Sequence, residues 1–172
     1  MSVLNDVALR GLFGSTVNIG PSSADLTLGD AMLRLPYGVT LDPERDQAGL
    51  WESVPLRQDG RWLLGQGVLY LAITREPVVV PQDCMALLHG ISSLGRLGLL
   101  VHVTAGLIDA GNSLVPTLEL VSLGGSILLR PGMRIAQVTY HTLSAPAEQP
   151  YAGKHRGDTE PVPSRMFKEA RA

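Results

Sequence analysis

Cysteine occurs once in the 172 residues, at Cys84. A disulfide framework is thereby excluded, and so is a zinc site built from several thiolates. Lysine is nearly as scarce, with only Lys154 and Lys168. The 14 Lys+Arg stand against 16 Asp+Glu, a formal net charge of −2, so the basic excess of a duplex-DNA binder is missing. Aromatics make up 5% of the chain, which leaves aliphatic side chains to fill most of the core. No apolar run approaches the ~18 residues of a membrane span. Met1 to Leu12 carries Asp6 and Arg10 and lacks the apolar stretch of a signal peptide. These absences predict a cytoplasmic protein whose partner is neither nucleic acid nor a membrane.

The chain does have 19 glycines and 12 prolines, with 45% hydrophobic residues. That density of turn formers in a chain of one-domain length predicts strands joined by turns. Its cations are mostly arginine, which suits planar contacts to phosphate or carboxylate, so a small anionic ligand fits. A short helix is expected over Asn5 to Leu12, capped by Asn5, with Leu9 and Leu12 inward and Leu4 stapled to Leu9. Pro21-Ser22-Ser23 reads as a turn and Ala24 to Leu28 as a short strand. Residues 36–61 read as loops with short strands. Further strands are expected at Val68–Thr74, Val78–Val80, Met85–Leu88, Leu99–Thr104, Val115–Val121, Ser126–Leu129 and Met133–Leu143, the spacing of an all-β sandwich or barrel. In the last of these, Gln137, Thr139 and His141 share one face, and Ala136, Val138 and Tyr140 the other. From Ser144 the composition turns to proline, glycine and charge, so 144–172 is expected to form a C-terminal arm or lid on a single 1–172 domain.

Two segments carry chemistry. Gly90-Ile91-Ser92-Ser93-Leu94-Gly95-Arg96-Leu97-Gly98 sets two hydroxyls and an arginine among glycines. On pattern alone an ordinary surface turn is the stronger reading, with an anion site the alternative. In the second segment, Glu119 lies in a strand whose neighbours Leu118 and Leu120 point the other way. A carboxylate there is either a proton-transfer group or an ion-paired or solvated residue of a sheet face. Asp109, before Gly111, has the look of a turn aspartate. Ser92 or Ser93 with His102 and Asp109 has the composition of a hydrolase triad, but no G-x-S-x-G elbow occurs. His89, His102, His141 and His155 lack metal-ligand spacing, and Cys84 reads as a small core residue.

The stretch SSLGRLGLLVHVTAGLIDAG followed by TLEL resembles the dCTP deaminases of the trimeric dUTPase superfamily. Pro21 to Leu26, Pro131 to Gln137, Pro150-Tyr151 and Pro161 to Arg165 extend the resemblance over nearly the whole chain. It implies a distorted jelly-roll, a homotrimer with active sites between subunits, and hydrolytic deamination of dCTP with Mg2+ carried by the triphosphate and no zinc. By matching position, Glu119 would be general base and acid, and Ser92 and the backbone of Ala105 would hold the water and the base. Arg96 would come from a neighbouring subunit. Asp109 would meet the deoxyribose 3′-hydroxyl, and Ser93 and Gln137 would belong to the substrate site. Tyr151, Lys154 and Asp158 would lie in the closing C-terminal segment, and His102 and Val103 in a segment implicated in dTTP feedback.

Four positions depart from the family pattern. Ile91 stands where an arginine is usual, Asn112 where an aromatic is usual, Leu114 where a second glycine is usual, and Asp158 near the place of a neutral amide. Arg156 is the cation expected to offset Asp158. The run Thr104-Ala105-Gly106-Leu107-Ile108-Asp109 resembles members that continue from dUTP to dUMP and pyrophosphate. A non-catalytic or altered-specificity nucleotide-binding homologue and a plain dUTPase are the alternatives.

Overall fold

The structure is a computed structural model and describes residues 2–169. Helix α1 spans Asp6–Phe13, and the Asn5 side chain caps it by accepting the Ala8 N–H at 3.1 Å. Leu9 is fully buried as expected. Leu12 is 37% exposed, against expectation, and Phe13 takes the inward place. The helical period explains this, because Phe13 lies four residues from Leu9 on the same face. The Phe13 ring meets Tyr140 edge-on, 6.0 Å between centroids. Leu4 also packs against the core, with its N–H bonded to the Tyr140 carbonyl.

The strands are β1 (Ala24–Arg34), β2 (Glu52–Ser53), β3 (Trp62–Leu64), β4 (Leu69–Thr74), β5 (Val78–Val79), β6 (Cys84–Gly90), β7 (Leu99–Leu100), β8 (Leu107–Ile108), β9 (Ser113–Leu114), β10 (Thr117–Ser122), β11 (Ile127–Leu129) and β12 (Arg134–Thr142), with a single helical turn α2 (Ser92–Gly95) after β6. The main sheet runs β7-β10-β4-β1-β12-β6-β8, each neighbour antiparallel, with β2 added to β1. Two small antiparallel pairs, β3 with β11 and β5 with β9, complete a curled, mostly β fold of the expected jelly-roll kind.

β1 is much longer than the expected Ala24–Leu28. Its first residues pair with β12 and its later ones with β4, and the register shifts within each pairing. One irregular strand thus joins the two halves of the curl, as bulged strands do. The expected strand Leu99–Thr104 stops at Leu100. Beyond it the chain leaves the sheet, although the Val101 carbonyl still accepts the Glu119 N–H at 3.0 Å. In the stretch 36–61, β2 is the only strand among the described residues.

The core is aliphatic. Trp62 and Tyr140 are the only aromatics among the largest fully buried side chains, and the Tyr140 hydroxyl donates to the Val79 carbonyl at 3.1 Å. Burial pushes the Tyr140 phenol well above its ordinary range. In β12 the two faces separate as expected: Ala136, Val138 and Tyr140 are buried, while Gln137, Thr139 and His141 are half-buried on the other side.

On that outer face Thr139 Oγ1 lies 3.1 Å from both His89 Nε2 and His141 Nε2. Burial, then the nearby His102 and His141, hold the His89 imidazole below its ordinary 6.5. The folded protein therefore binds fewer protons at this site than the unfolded chain as pH falls through 6.5. His89 accordingly favours the folded state fully above that pH and loses the contribution on acidification. A His89→Gln variant should lose less stability than wild type between about pH 7 and pH 5 in urea denaturation series. Parallel curves for the two proteins would contradict the assignment.

Candidate active site

Glu119 sits in the middle of β10. Leu118 and Leu120 are fully buried on one face, and Thr117, Glu119 and Val121 are half-buried on the other. Across the sheet Glu119 faces Leu71 of β4, so no cation opposes it there. Its Oε2 accepts the Val103 N–H at 2.7 Å, and no salt bridge reaches it among the described residues. The ion-paired alternative is thus not what the structure shows. One carboxylate oxygen is held by the backbone, and the other is left for a ligand or water.

The face carrying Glu119 forms one wall of a cavity of about 580 Å3, a size that suits a small-molecule site. Val103, Thr104, Ala105 and Asp109 line it from the segment after β7. That segment lies close against β6. The Gly106 carbonyl accepts the Leu88 N–H at 2.8 Å, and a Cβ on Gly106 would fall 2.9 Å from the Leu88 carbonyl oxygen. Asp109 is exposed at the cavity, and its carbonyl closes a turn by accepting the Asn112 N–H at 3.2 Å. Asn112 and Leu114 line the same cavity, as do Leu41 and Trp51 from the 36–61 stretch. Sequence reasoning missed those last two, because an aperiodic loop gives no sign of which residue turns inward.

The C-terminal segment covers part of this cavity with Tyr151, His155, Asp158 and Val162. It docks through backbone bonds. The Tyr151 N–H meets the Ala110 carbonyl at 2.8 Å, the Gly157 N–H meets Ser113, and the Val115 N–H meets the Asp158 carbonyl at 2.7 Å. Gly111, at φ +80°, lets the arm approach; a Cβ there would lie 2.5 Å from Pro150 Cβ. The Asp158 carboxylate takes Arg165 at 2.9 Å and His155 Nδ1 at 3.1 Å. Arg165, not the expected Arg156, therefore offsets Asp158, while Arg156 donates to the Tyr151 carbonyl at 3.0 Å. Lys154 does not line the cavity, and its ammonium pairs with Glu169.

A second cleft of about 500 Å3 holds Gly90, Ile91, Ser92, His102, Arg134 and Gln137. His102 lines this cleft and its neighbour Val103 lines the cavity, so one short segment borders both hollows. Arg134 is the arginine that shares the cleft with Ile91; it is half-exposed and bonds Asp25 at 3.1 Å. Ser93 and Arg96 line neither hollow, and Arg96 is exposed at the end of α2. The hydrolase triad is not assembled. Ser92 and His102 lie in the cleft and Asp109 in the cavity, with no hydrogen bond joining them, and His102 Nδ1 is buried without a partner among the described residues.

Among the described residues, no three His, Cys, Asp or Glu side chains are grouped to hold a metal ion. No helix among them is long and apolar enough to cross a membrane.

Comparison with known proteins gives the same direction from three sides. The family model described as dCTP deaminase-like matches residues 10–143. The chain is 41% identical over 155 residues to a "dCTP deaminase, dUMP-forming" of Methanopyrus kandleri, covering 86% of this chain and 80% of the relative. It is 35% identical over 170 residues to a "dCTP deaminase" of Haloarcula marismortui, covering 94% and 87%. Among solved structures it resembles the 2′-deoxycytidine 5′-triphosphate deaminase of Agrobacterium tumefaciens, with TM-score 0.65 and 25% identity over 81% of this chain. It spans about half, 48%, of that longer chain.

Proposed function

The chain belongs to the dCTP deaminase family, and from that premise we propose that it hydrolyses dCTP to dUTP and ammonia. The observation that carries the reading is Glu119, a carboxylate with one oxygen tied to the Val103 N–H and the other unspent, on the wall of a nucleotide-sized cavity. Water adds to C4 of cytosine, the C4–N bond breaks, and ammonia leaves. Glu119 takes the proton from the attacking water and passes it to the departing amine. The Ala105 backbone and Ser92 hold water and base, Asp109 accepts from the sugar 3′-hydroxyl, and Tyr151 closes over the sugar.

A bifunctional course to dUMP and pyrophosphate is favoured by one further feature. Asp109 shares the cavity with Glu119, so a second carboxylate is available to orient a water toward the triphosphate. Magnesium fits as an ion carried by the phosphates. No acidic cage is grouped for it among the described residues, and Ser92 and Gln137 offer oxygens to its waters. When bound it would neutralise phosphate charge. Arg134, in the cleft with Ile91, is the chain's own cation for that anion.

The division of Ser92 and Gln137 from Glu119 and Asp109 between two hollows supports a homotrimer that joins the cleft of one subunit to the cavity of the next. Arg96, exposed and in neither hollow, is then supplied across that contact. Of the 144–172 arm, the stretch to Glu169 acts as the lid and 170–172 lie outside the described residues; His102 and Val103 are the regulatory segment between the hollows, and the cytoplasm is the compartment such nucleotide chemistry needs.

The test is product analysis. Purified protein with magnesium and dCTP should release ammonia, with dUMP and pyrophosphate accumulating beside dUTP when products are resolved by chromatography. Bound but unconverted dCTP would favour the non-catalytic alternative. Turnover of dUTP without dCTP would favour a plain dUTPase.

A further inference from the structure

Asp25 is the one charged residue among the buried polar residues of the described chain, at 8% exposure. Ala24 and Leu26 on either side of it turn into the core, so the alternation of β1 sends Asp25 to the opposite face. There it stands across from Gln137 of β12, which lines the 500 Å3 cleft. Two side chains cover it. Asn18 Nδ2 donates to Asp25 Oδ2 at 2.6 Å, and Arg134 Nη1 donates to the same oxygen at 3.1 Å. A buried carboxylate is costly unless it is paired and hydrogen-bonded, and both conditions are met here by reaching for Arg134.

Arg134 arrives beside Asp25 by way of a bulge. Leu26 pairs with Ala136, but Thr27 pairs with Arg134, so Ile135 is the extra residue of β12. Ile135 and Ala136 are consecutive and both fully buried. Strict alternation from Gln137 would put Ile135 on the cleft face and Arg134 in the core. The bulge reverses those two and sets the arginine on the face of Gln137 and Asp25. The Arg134 side chain is 52% exposed, and the bond to Asp25 is its one hydrogen bond among the described residues. The remaining donors of the guanidinium are thus unspent in the cleft, while Asp25 itself does not line it.

We propose that Asp25 is a positioning residue: it holds one edge of the Arg134 guanidinium so that the other edge meets the phosphates of the nucleotide. The inference rests on the proposed function for the nucleotide but not for the reaction. A planar fork can serve a carboxylate on one side and a phosphate on the other, which a single ammonium cannot. An arginine already held loses less freedom when the phosphate arrives, so the anchor adds affinity without touching the ligand. The bulge supplies the direction and Asp25 the rigidity.

The experiment titrates wild type, Asp25→Ala, Arg134→Gln and the double variant with dCTP and with deoxycytidine by calorimetry, and follows dCTP kinetics on the same proteins. Asp25→Ala should weaken dCTP about tenfold and leave deoxycytidine, which has no phosphate, within about twofold of wild type. KM for dCTP should rise with kcat little changed. Added to Arg134→Gln, the same substitution should cost no further dCTP affinity. A purely structural Asp25 would weaken both ligands alike, or weaken dCTP equally with and without Arg134, and either result would overturn the proposal. Should Asp25→Ala fail to fold, Arg134→Lys decides: it keeps the charge but not the fork, so dCTP affinity should still fall about tenfold, and an unchanged affinity would overturn the proposal. If ammonia never appears yet Asp25→Ala weakens dCTP alone, the deaminase reading fails and the positioning role stands. If Asp25→Ala deaminates dCTP with the wild-type KM, the positioning role fails and the deaminase reading stands.

Discussion

Replacing Glu119 with glutamine is expected to lower kcat for dCTP deamination by about 10²–10⁴-fold, the range a positioned acid–base group contributes. The substitution is close to isosteric. The glutamine Oε1 can still accept the Val103 N–H that Oε2 accepts at 2.7 Å in the wild type, so the wall of the cavity keeps its shape. The side chain can no longer take a proton from water. No ion pair is broken among the described residues, and Leu71 opposite is apolar. The melting temperature should therefore move little. KM for dCTP should also change little, because the lost interaction belongs to the transition state. Steady-state kinetics beside thermal melting checks all three quantities. A Glu119→Gln protein that deaminates dCTP at the wild-type rate would remove Glu119 from the mechanism.

How much of this could be read in advance differs between the sheet and the loops. In β10 the alternation Leu118-Glu119-Leu120 already placed the carboxylate on the face away from the core, and the structure agrees. The same two-residue period separated the faces of β12. Period is a local property, so it survives in a single sequence. The partner of Glu119 was not legible, because the Val103 N–H reaches it from 16 residues away, out of a segment that reads as strand but bends out of the sheet. The cation that offsets Asp158 shows the same limit. Arg156 is near in sequence, yet Arg165 makes the contact, because the arm folds back on itself over the cavity. Leu41 and Trp51 come from a stretch whose composition reports only turns. α2 was hidden for a related reason: four residues of Ser-Ser-Leu-Gly are too few to show a helical period.

Mixing two inactive variants should restore activity if each site is shared between subunits. Glu119→Gln removes the proton acceptor in the cavity, and Arg96→Glu reverses the exposed charge at the end of α2, outside both hollows. Each protein alone should lose most of its deaminase rate. When the two are unfolded together and refolded as a mixture, a site that joins the cavity of an Arg96→Glu subunit to the α2 of a Glu119→Gln subunit contains both native groups. Random assembly of equal amounts in a closed cyclic trimer makes about one quarter of the sites whole. The mixture should therefore recover about that fraction of the wild-type rate, while either variant refolded alone stays inactive. If Arg96 served the cavity of its own chain, every site in every hybrid would carry one defect and no activity would return. Light scattering on the same samples fixes the subunit count. An active monomer would rule out the shared site directly, since Ser92 and Glu119 would then have to meet across the segment that keeps the cleft and the cavity apart.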